Sequence, residues 1–251
     1  MNIAITIAAI GLSLLHAGAV NRLAYVFHRP WNLRVNTWIM VRQSRMIFAV
    51  FAAYMDFRFV GDSKALSALP DQYIALSNHQ SLFDIPLFNR YIPNGRLRFV
   101  AKAELGRNIP VVSLMLRTGG HCLISRTGSG SSAMRELDRF ADRVMQNDWI
   151  PVIFPEGTRS KDGSVGAFHA AGFRRFVDRC PLPVGVFAID GGWRISKLGD
   201  MRKTLRGGRY RIKLLKVYDA PQGKAEQVKI LEEGKVLIAE QLERWRAEAR
   251  G

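Results

Sequence analysis

Cysteine is scarce. The 251 residues hold two, Cys122 and Cys180, so a disulfide scaffold is excluded, and the pair reads as buried thiols of a reducing compartment. Histidine is sparse too: five residues, scattered without the ligand spacing of a zinc site. No G-x-S-x-G elbow occurs, which removes the serine hydrolases built on it. The 22 glycines show no period of three, against a collagen-like chain. Acidic residues are the other deficit, 21 Asp+Glu against 37 Lys+Arg, for a formal net charge of +16. That excess attracts an anionic partner: nucleic acid, an anionic membrane surface or a phosphorylated substrate. No nucleic-acid motif accompanies it. A basic membrane-binding module without catalysis fits the charge as well as an enzyme does. With 48% hydrophobic and 23% charged residues, the chain can bury a real core and is not disordered.

Charge is also missing from residues Ile3 to Val20. As a helix these would span about 27 Å, just short of a ~30 Å hydrocarbon core. A signal peptide, a buried helix and a membrane helix all fit that length. A signal peptide wants a basic lead that Met1-Asn2 lacks, although Ala17-Gly18-Ala19 imitates a cleavage site. Arg22, Arg29 and Arg34 follow the segment and no Lys or Arg precedes it, which favours a membrane helix with the bulk of the chain on the cytoplasmic side. Whether it spans the bilayer or lies in one leaflet stays open. A second apolar stretch from Trp38 to Tyr54 is interrupted by Arg42 and Arg45. This suits a helix lying in the interface with Trp38, Phe48 and Phe51 in the acyl region. The reading divides the chain into a membrane-anchoring two-helix segment, residues 1–60, and a second domain, residues 61–251.

After Pro70, apolar runs alternate with helical patterns. Strands are expected at Gln72–Ser77, Arg96–Lys102, His121–Ser125, Trp149–Phe154, Val184–Asp190 and Tyr210–Tyr218. Helical spacing recurs from Ser131 to Asn147 and from about Gln222 onward. The alternation predicts an α/β fold with a mixed, largely parallel sheet flanked by helices.

Two segments carry chemistry. In Asn78-His79-Gln-Ser-Leu-Phe-Asp84, the histidine and the carboxylate are five positions apart. On one helix they would diverge by about 140°. They meet if His79 ends a strand and Asp84 opens a helix, and Pro86 supports that break because proline is tolerated only in a first helical turn. A histidine oriented by a carboxylate is a general base; a helix-capping Asp84 and a core His79 are the alternatives. In Phe154-Pro-Glu-Gly-Thr-Arg159, a buried-type run ends in a turn that Gly157 permits, with Arg159 suited to a phosphate and Glu156 beside it. A surface turn with a solvated Arg–Glu pair is the alternative. Gly128-Ser-Gly130-Ser-Ser-Ala133 also matches a dinucleotide-binding fingerprint, but that reading leaves both segments unexplained.

In this order and spacing the two segments resemble the glycerolipid acyltransferase family, most closely the bacterial 1-acylglycerol-3-phosphate O-acyltransferases, over roughly Gln72 to Asp190. The resemblance implies transfer of an acyl group from acyl-CoA or acyl-carrier protein to the hydroxyl of a lysophospholipid at the cytoplasmic face of the inner membrane. Lysophosphatidic acid is the first acceptor it suggests; a lyso-ornithine lipid or another lysophospholipid is the alternative. His79 becomes the base and Asp84 its orienting partner. Glu156, Gly157, Thr158 and Arg159 become acceptor-binding, with Arg126 and Lys102 as further contacts to the phosphate. Ser125 before Arg126 departs from the family's usual Asp or Asn, and Gly185-Val186 after Pro183 departs from a second proline. No metal or cofactor is implied beyond the acyl donor. Oxyanion donors are expected among backbone N–H groups near Gly157 or Lys102.

Overall fold

The structure is a computed structural model describing residues 3–107, 112–125, 130–195 and 207–249. Helices α1 (Ile3–Phe27) and α2 (Arg29–Met55) form an antiparallel hairpin that turns at His28. The rest of the chain alternates strands and helices: β1 (Arg58–Gly61), β2 (Ile74–Ser77), α3 (Asp84–Tyr91), β3 (Leu97–Lys102), α4 (Val112–Thr118), β4 (Cys122–Ile124), α5 (Gly130–Gln146), β5 (Ile150–Ile153), α6 (Ala170–Arg179), β6 (Val184–Asp190), β7 (Arg209–Tyr218) and α7 (Gly223–Glu248).

Among the described residues the seven strands make one sheet in the order β1-β7-β6-β2-β5-β3-β4. Its five strands from β6 to β4 are parallel; β7 joins β6 antiparallel, and β1 runs parallel to β7. The mixed, largely parallel sheet flanked by helices is as the apolar runs indicate. Strand side chains alternate between two cores. Ala75, Val152 and Phe187 point toward α2 and α3. Ile74, Leu76, Ile153 and Val186 point toward α5, α6 and α7. Each fully buried aliphatic or aromatic side chain contributes about 1.5–3 kcal/mol by leaving water, and both faces of the central strands are covered, which is why their sequences are continuous apolar runs.

Two features differ from the expectation for residues 1–60. Helix α2 leaves Trp38 exposed but does not turn Phe48 and Phe51 outward. Phe48, Phe51 and Ile47 are buried in the core shared with α3 and the sheet, with Phe51 edge-on to Phe48 and Phe57. The arginines that break its apolar run mark the opposite, outer side of an amphipathic core helix. Residue 60, where the sequence reading places the boundary, falls inside β1. This four-residue edge strand is too short to stand out in the sequence.

Helix α1 is different. Its segment Ala8–Phe27 is long and apolar enough to cross a membrane, and only 11% of it is buried. Leu12, Leu15 and Leu23 are exposed. It is held to α2 through Ser13–Gln43 (3.0 Å) and Asn32–Asn21 (2.9 Å).

Candidate active site

The connections after β2 and β5, which are neighbours in the sheet, leave in opposite directions. From β2 the chain passes through α3 to β3; from β5 it passes through α6 to β6 on the other side. Helices α3 and α6 consequently sit on opposite faces. A crevice opens at the carboxyl ends of such strands, where open α/β sheets take ligands. Both motif segments occupy it.

Asn78 fixes the exit from β2: its carboxamide exchanges two hydrogen bonds of 2.9 Å with the backbone of Ile189 in β6. His79 follows on the turn, and α3 starts at Asp84 with Pro86 in its first turn. The fold thus brings together two groups that one helix would separate. His79 Nδ1 lies 2.6 Å from Asp84 Oδ2. The same oxygen accepts the backbone N–H groups of Gln80 (2.7 Å) and Ser81 (3.0 Å), and Asp84 is fully buried. An ionised carboxylate in that position fixes the ring proton on Nδ1 and leaves the Nε2 lone pair for chemistry. The imidazole stacks on Phe154, centroids 4.2 Å apart at 13°, which sets its plane.

The segment after β5 grips His79 from behind. Glu156 Oε1 accepts the His79 N–H (2.8 Å), and the Ser160 N–H donates to the His79 carbonyl (2.8 Å). Glu156 Oε2 accepts the Gly166 N–H (2.8 Å). Glu156 is buried and does not line the cavity; as placed, its carboxylate braces the loop and is turned away from the space an acceptor would enter. Burial raises its pKa, opposed by the two N–H donors. Gly157 takes φ = 62°, where glycine is favoured. Its N–H donates to the Phe154 carbonyl (3.0 Å), so it is engaged within the turn and is not a free oxyanion donor.

A cavity of about 320 Å³ opens beside His79. Its walls are mostly apolar, including Leu82, Phe99, Leu105, Ile124, Leu137 and Phe173. Lys102, Gly157, Thr158 and Arg159 line it as well, and the Lys102 and Arg159 side chains are exposed at its edge. Arg126 and Gly128 lie outside the described residues. Two residues that the sequence reading did not single out belong here. His169, just before α6, lines the cavity. Tyr210 of β7 donates its hydroxyl to Asp84 Oδ1. No motif marks either: His169 sits in an unremarkable loop, and Tyr210 reads as one aromatic in a strand. Among the described residues, no three His, Cys, Asp or Glu side chains cluster as a metal site would require.

Comparison with known proteins bears on this geometry. A family model described as "Acyltransferase" matches residues 61–189. A 1-acyl-sn-glycerol-3-phosphate acyltransferase of Cocos nucifera is 32% identical over 128 residues, 50% of this chain and 40% of its own. One of Helicobacter pylori is 40% identical over 86 residues, 34% of this chain and 35% of its own. The matched stretch thus spans about two fifths of these curated relatives or less. The crystal structure of the 1-acyl-sn-glycerophosphate (LPA) acyltransferase of Thermotoga maritima superposes with a TM-score of 0.71 at 22% identity, covering 97% of this chain and 94% of that one, which establishes a shared fold.

Proposed function

The chain belongs to the acyltransferase family, and from that premise we propose that it moves a fatty acyl group from an acyl thioester to the free hydroxyl of lysophosphatidic acid, giving phosphatidic acid. The observation that carries this reading is the His79–Asp84 pair, 2.6 Å apart, at an apolar cavity edged by Lys102 and Arg159. His79 Nε2 takes the proton from the glycerol hydroxyl as its oxygen attacks the thioester carbonyl. Asp84 stabilises the imidazolium that forms. The tetrahedral oxyanion collapses, the carbon–sulfur bond breaks, and the departing thiolate regains the proton from Nε2. No covalent acyl-enzyme is needed, and the step uses no metal. Lys102 and Arg159 suit the acceptor phosphate as exposed cations. The apolar walls suit acyl carbons. Gly157, Thr158 and Glu156 shape and brace the loop that carries Arg159. Acyl-CoA and acyl-carrier protein both supply the required thioester.

Helix α1 would hold this site at the membrane from which the lysophospholipid comes, with the catalytic domain on the cytoplasmic face. Its exposed Leu12 and Leu15, and the arginines at positions 22, 29 and 34 after the charge-free residues 3–20, support that placement.

The test is an acylation assay with the full chain in mixed micelles, a panel of lyso-acceptors including lysophosphatidic acid and a lyso-ornithine lipid, and acyl-CoA against acyl-carrier protein. Lysophosphatidic acid should be acylated fastest. His79→Ala should lower kcat by about 10³-fold and Asp84→Asn by about 10²-fold or more. Preference for another acceptor would reassign the substrate and keep the base. Turnover undiminished by His79→Ala would remove the proposed mechanism.

A further inference from the structure

The carboxylate behind His79 has a partner from the far end of the fold. Tyr210 is fully buried, as is Asp84, and its hydroxyl donates to Asp84 Oδ1. The two carboxylate oxygens are thereby divided: Oδ2 serves His79 Nδ1 and the N–H groups of Gln80 and Ser81, while Oδ1 holds the phenol. A second, independent feature protects this contact. Gly192, two residues after β6, packs against it. A methyl group there would overlap the Tyr210 hydroxyl and stand 3.0 Å from Asp84 Oδ1. Gly192 is not among the glycines with positive φ, so the contact, and not backbone freedom, demands the missing side chain. The Gly192 N–H is itself fixed on Gln80 Oε1 at 3.0 Å.

The geometry points to Tyr210 as a positioning residue that sets the basicity of His79 through Asp84, in a relay whose space Gly192 keeps clear. The inference rests on the proposed role of His79 as the base. A donor on Oδ1 draws charge from the carboxylate and fixes its rotation. A carboxylate that shares its charge with a phenol stabilises an imidazolium less than one facing the imidazole alone. The phenol therefore tempers the pull of Asp84 on the imidazole and fixes the carboxylate that orients it. Burial and the charge of Asp84 both push the Tyr210 pKa well up, so it remains a donor across the range in which an imidazole titrates. Other charged or titratable groups face this relay: Glu156 behind the His79 backbone, Asp190 near Tyr210 and Gln80, and Lys102, Arg159 and His169 around the cavity. All stay in place in the variants below.

The experiment combines a ¹⁵N-histidine NMR titration of the full chain with the pH dependence of acyl transfer. Tyr210→Phe removes one oxygen and keeps the ring. It should raise the His79 midpoint by about half to one pH unit and move the acid limb of kcat upward to match. At pH 7, where a midpoint raised by that much leaves fewer of the imidazoles unprotonated, it should lower kcat by roughly two- to threefold with KM changed less. Gly192→Ala alters no polar group and should shift the midpoint the same way; it decides the matter if Tyr210→Phe does not fold. A His79 midpoint unchanged in the folded variants, or a lower Tm with an unchanged pH profile, overturns the relay. If the midpoint moves while the wild-type chain acylates no lysophospholipid, the relay stands and the acyl-transfer reading falls.

Discussion

Glu156 stands in the same motif as Arg159, and its carboxylate is engaged by backbone. Its sequence position beside Arg159 suggests contact with an acceptor, yet both of its oxygens accept backbone N–H groups, from His79 and Gly166, at 2.8 Å. Glutamine at this position would keep the shape but aim an NH₂ group at one of those N–H donors. A buried donor left without an acceptor costs about 1–3 kcal/mol. Glu156→Gln should accordingly lower Tm by roughly 5 °C and, by loosening the His79 backbone, reduce kcat about tenfold, with little change in KM for the acceptor. Calorimetry and steady-state kinetics check both. A raised KM with unchanged Tm would return Glu156 to an acceptor-binding role. The sequence identifies the residue and not its direction, because side-chain orientation in a turn is set by the partners that the fold brings near it.

At the scale of elements, the two N-terminal helices have similar length and opposite exposure of their apolar side chains. α1 exposes Leu12 (69%) and Leu23 (56%), whereas α2 buries Phe51 (1% exposed) against the sheet. Substitutions on the two helices should therefore act differently. Leu12→Glu with Leu23→Glu should leave Tm near that of wild type and reduce co-sedimentation with anionic vesicles at high salt, because charges on the lipid-facing side oppose insertion. Phe51→Ala should cost about 3–5 kcal/mol through the cavity it leaves without acting on vesicle binding directly. Vesicle binding unaffected by the paired α1 substitutions would exclude that face as the anchor. Apolar content alone does not distinguish the helices. The charge-free run of α1 marks it as a candidate for lipid, whereas the Arg-interrupted pattern of α2 fits a membrane interface and a protein core equally, and only its packing partners decide.

Over the whole molecule, stability should depend on pH through His121. It is buried just before β4, its Nδ1 accepts the Phe99 N–H at 3.1 Å, and its pKa is pushed down to about 3, by burial first and by the Arg98 cation second. In the unfolded chain an imidazole takes up its proton near pH 6.5. Between those values the unfolded state binds a proton that the folded state does not, so stability is full above pH 6.5 and declines as pH falls toward 3. Denaturant unfolding from pH 7 to 4 should show this decline, and His121→Gln should flatten its slope by about 1.4 kcal/mol per pH unit; equal slopes in both proteins would assign the acid sensitivity elsewhere. The same division between local and distant contacts separates what was legible from what was not. The continuous apolar runs at Val184–Asp190 and Ile150–Ile153, the helix start that Pro86 announces and the order of the two motifs were fixed by the sequence alone, since each depends on neighbours a few residues apart or on burial of a whole segment. Tertiary structure alone decided that Phe48 and Phe51 of α2 are core, that Glu156 faces inward, that Gly157 engages its N–H in its own turn, and that Tyr210, 126 positions from Asp84, reaches its carboxylate. Contacts so remote are formed by the sheet order and the helices packed on it, which no local stretch of residues encodes.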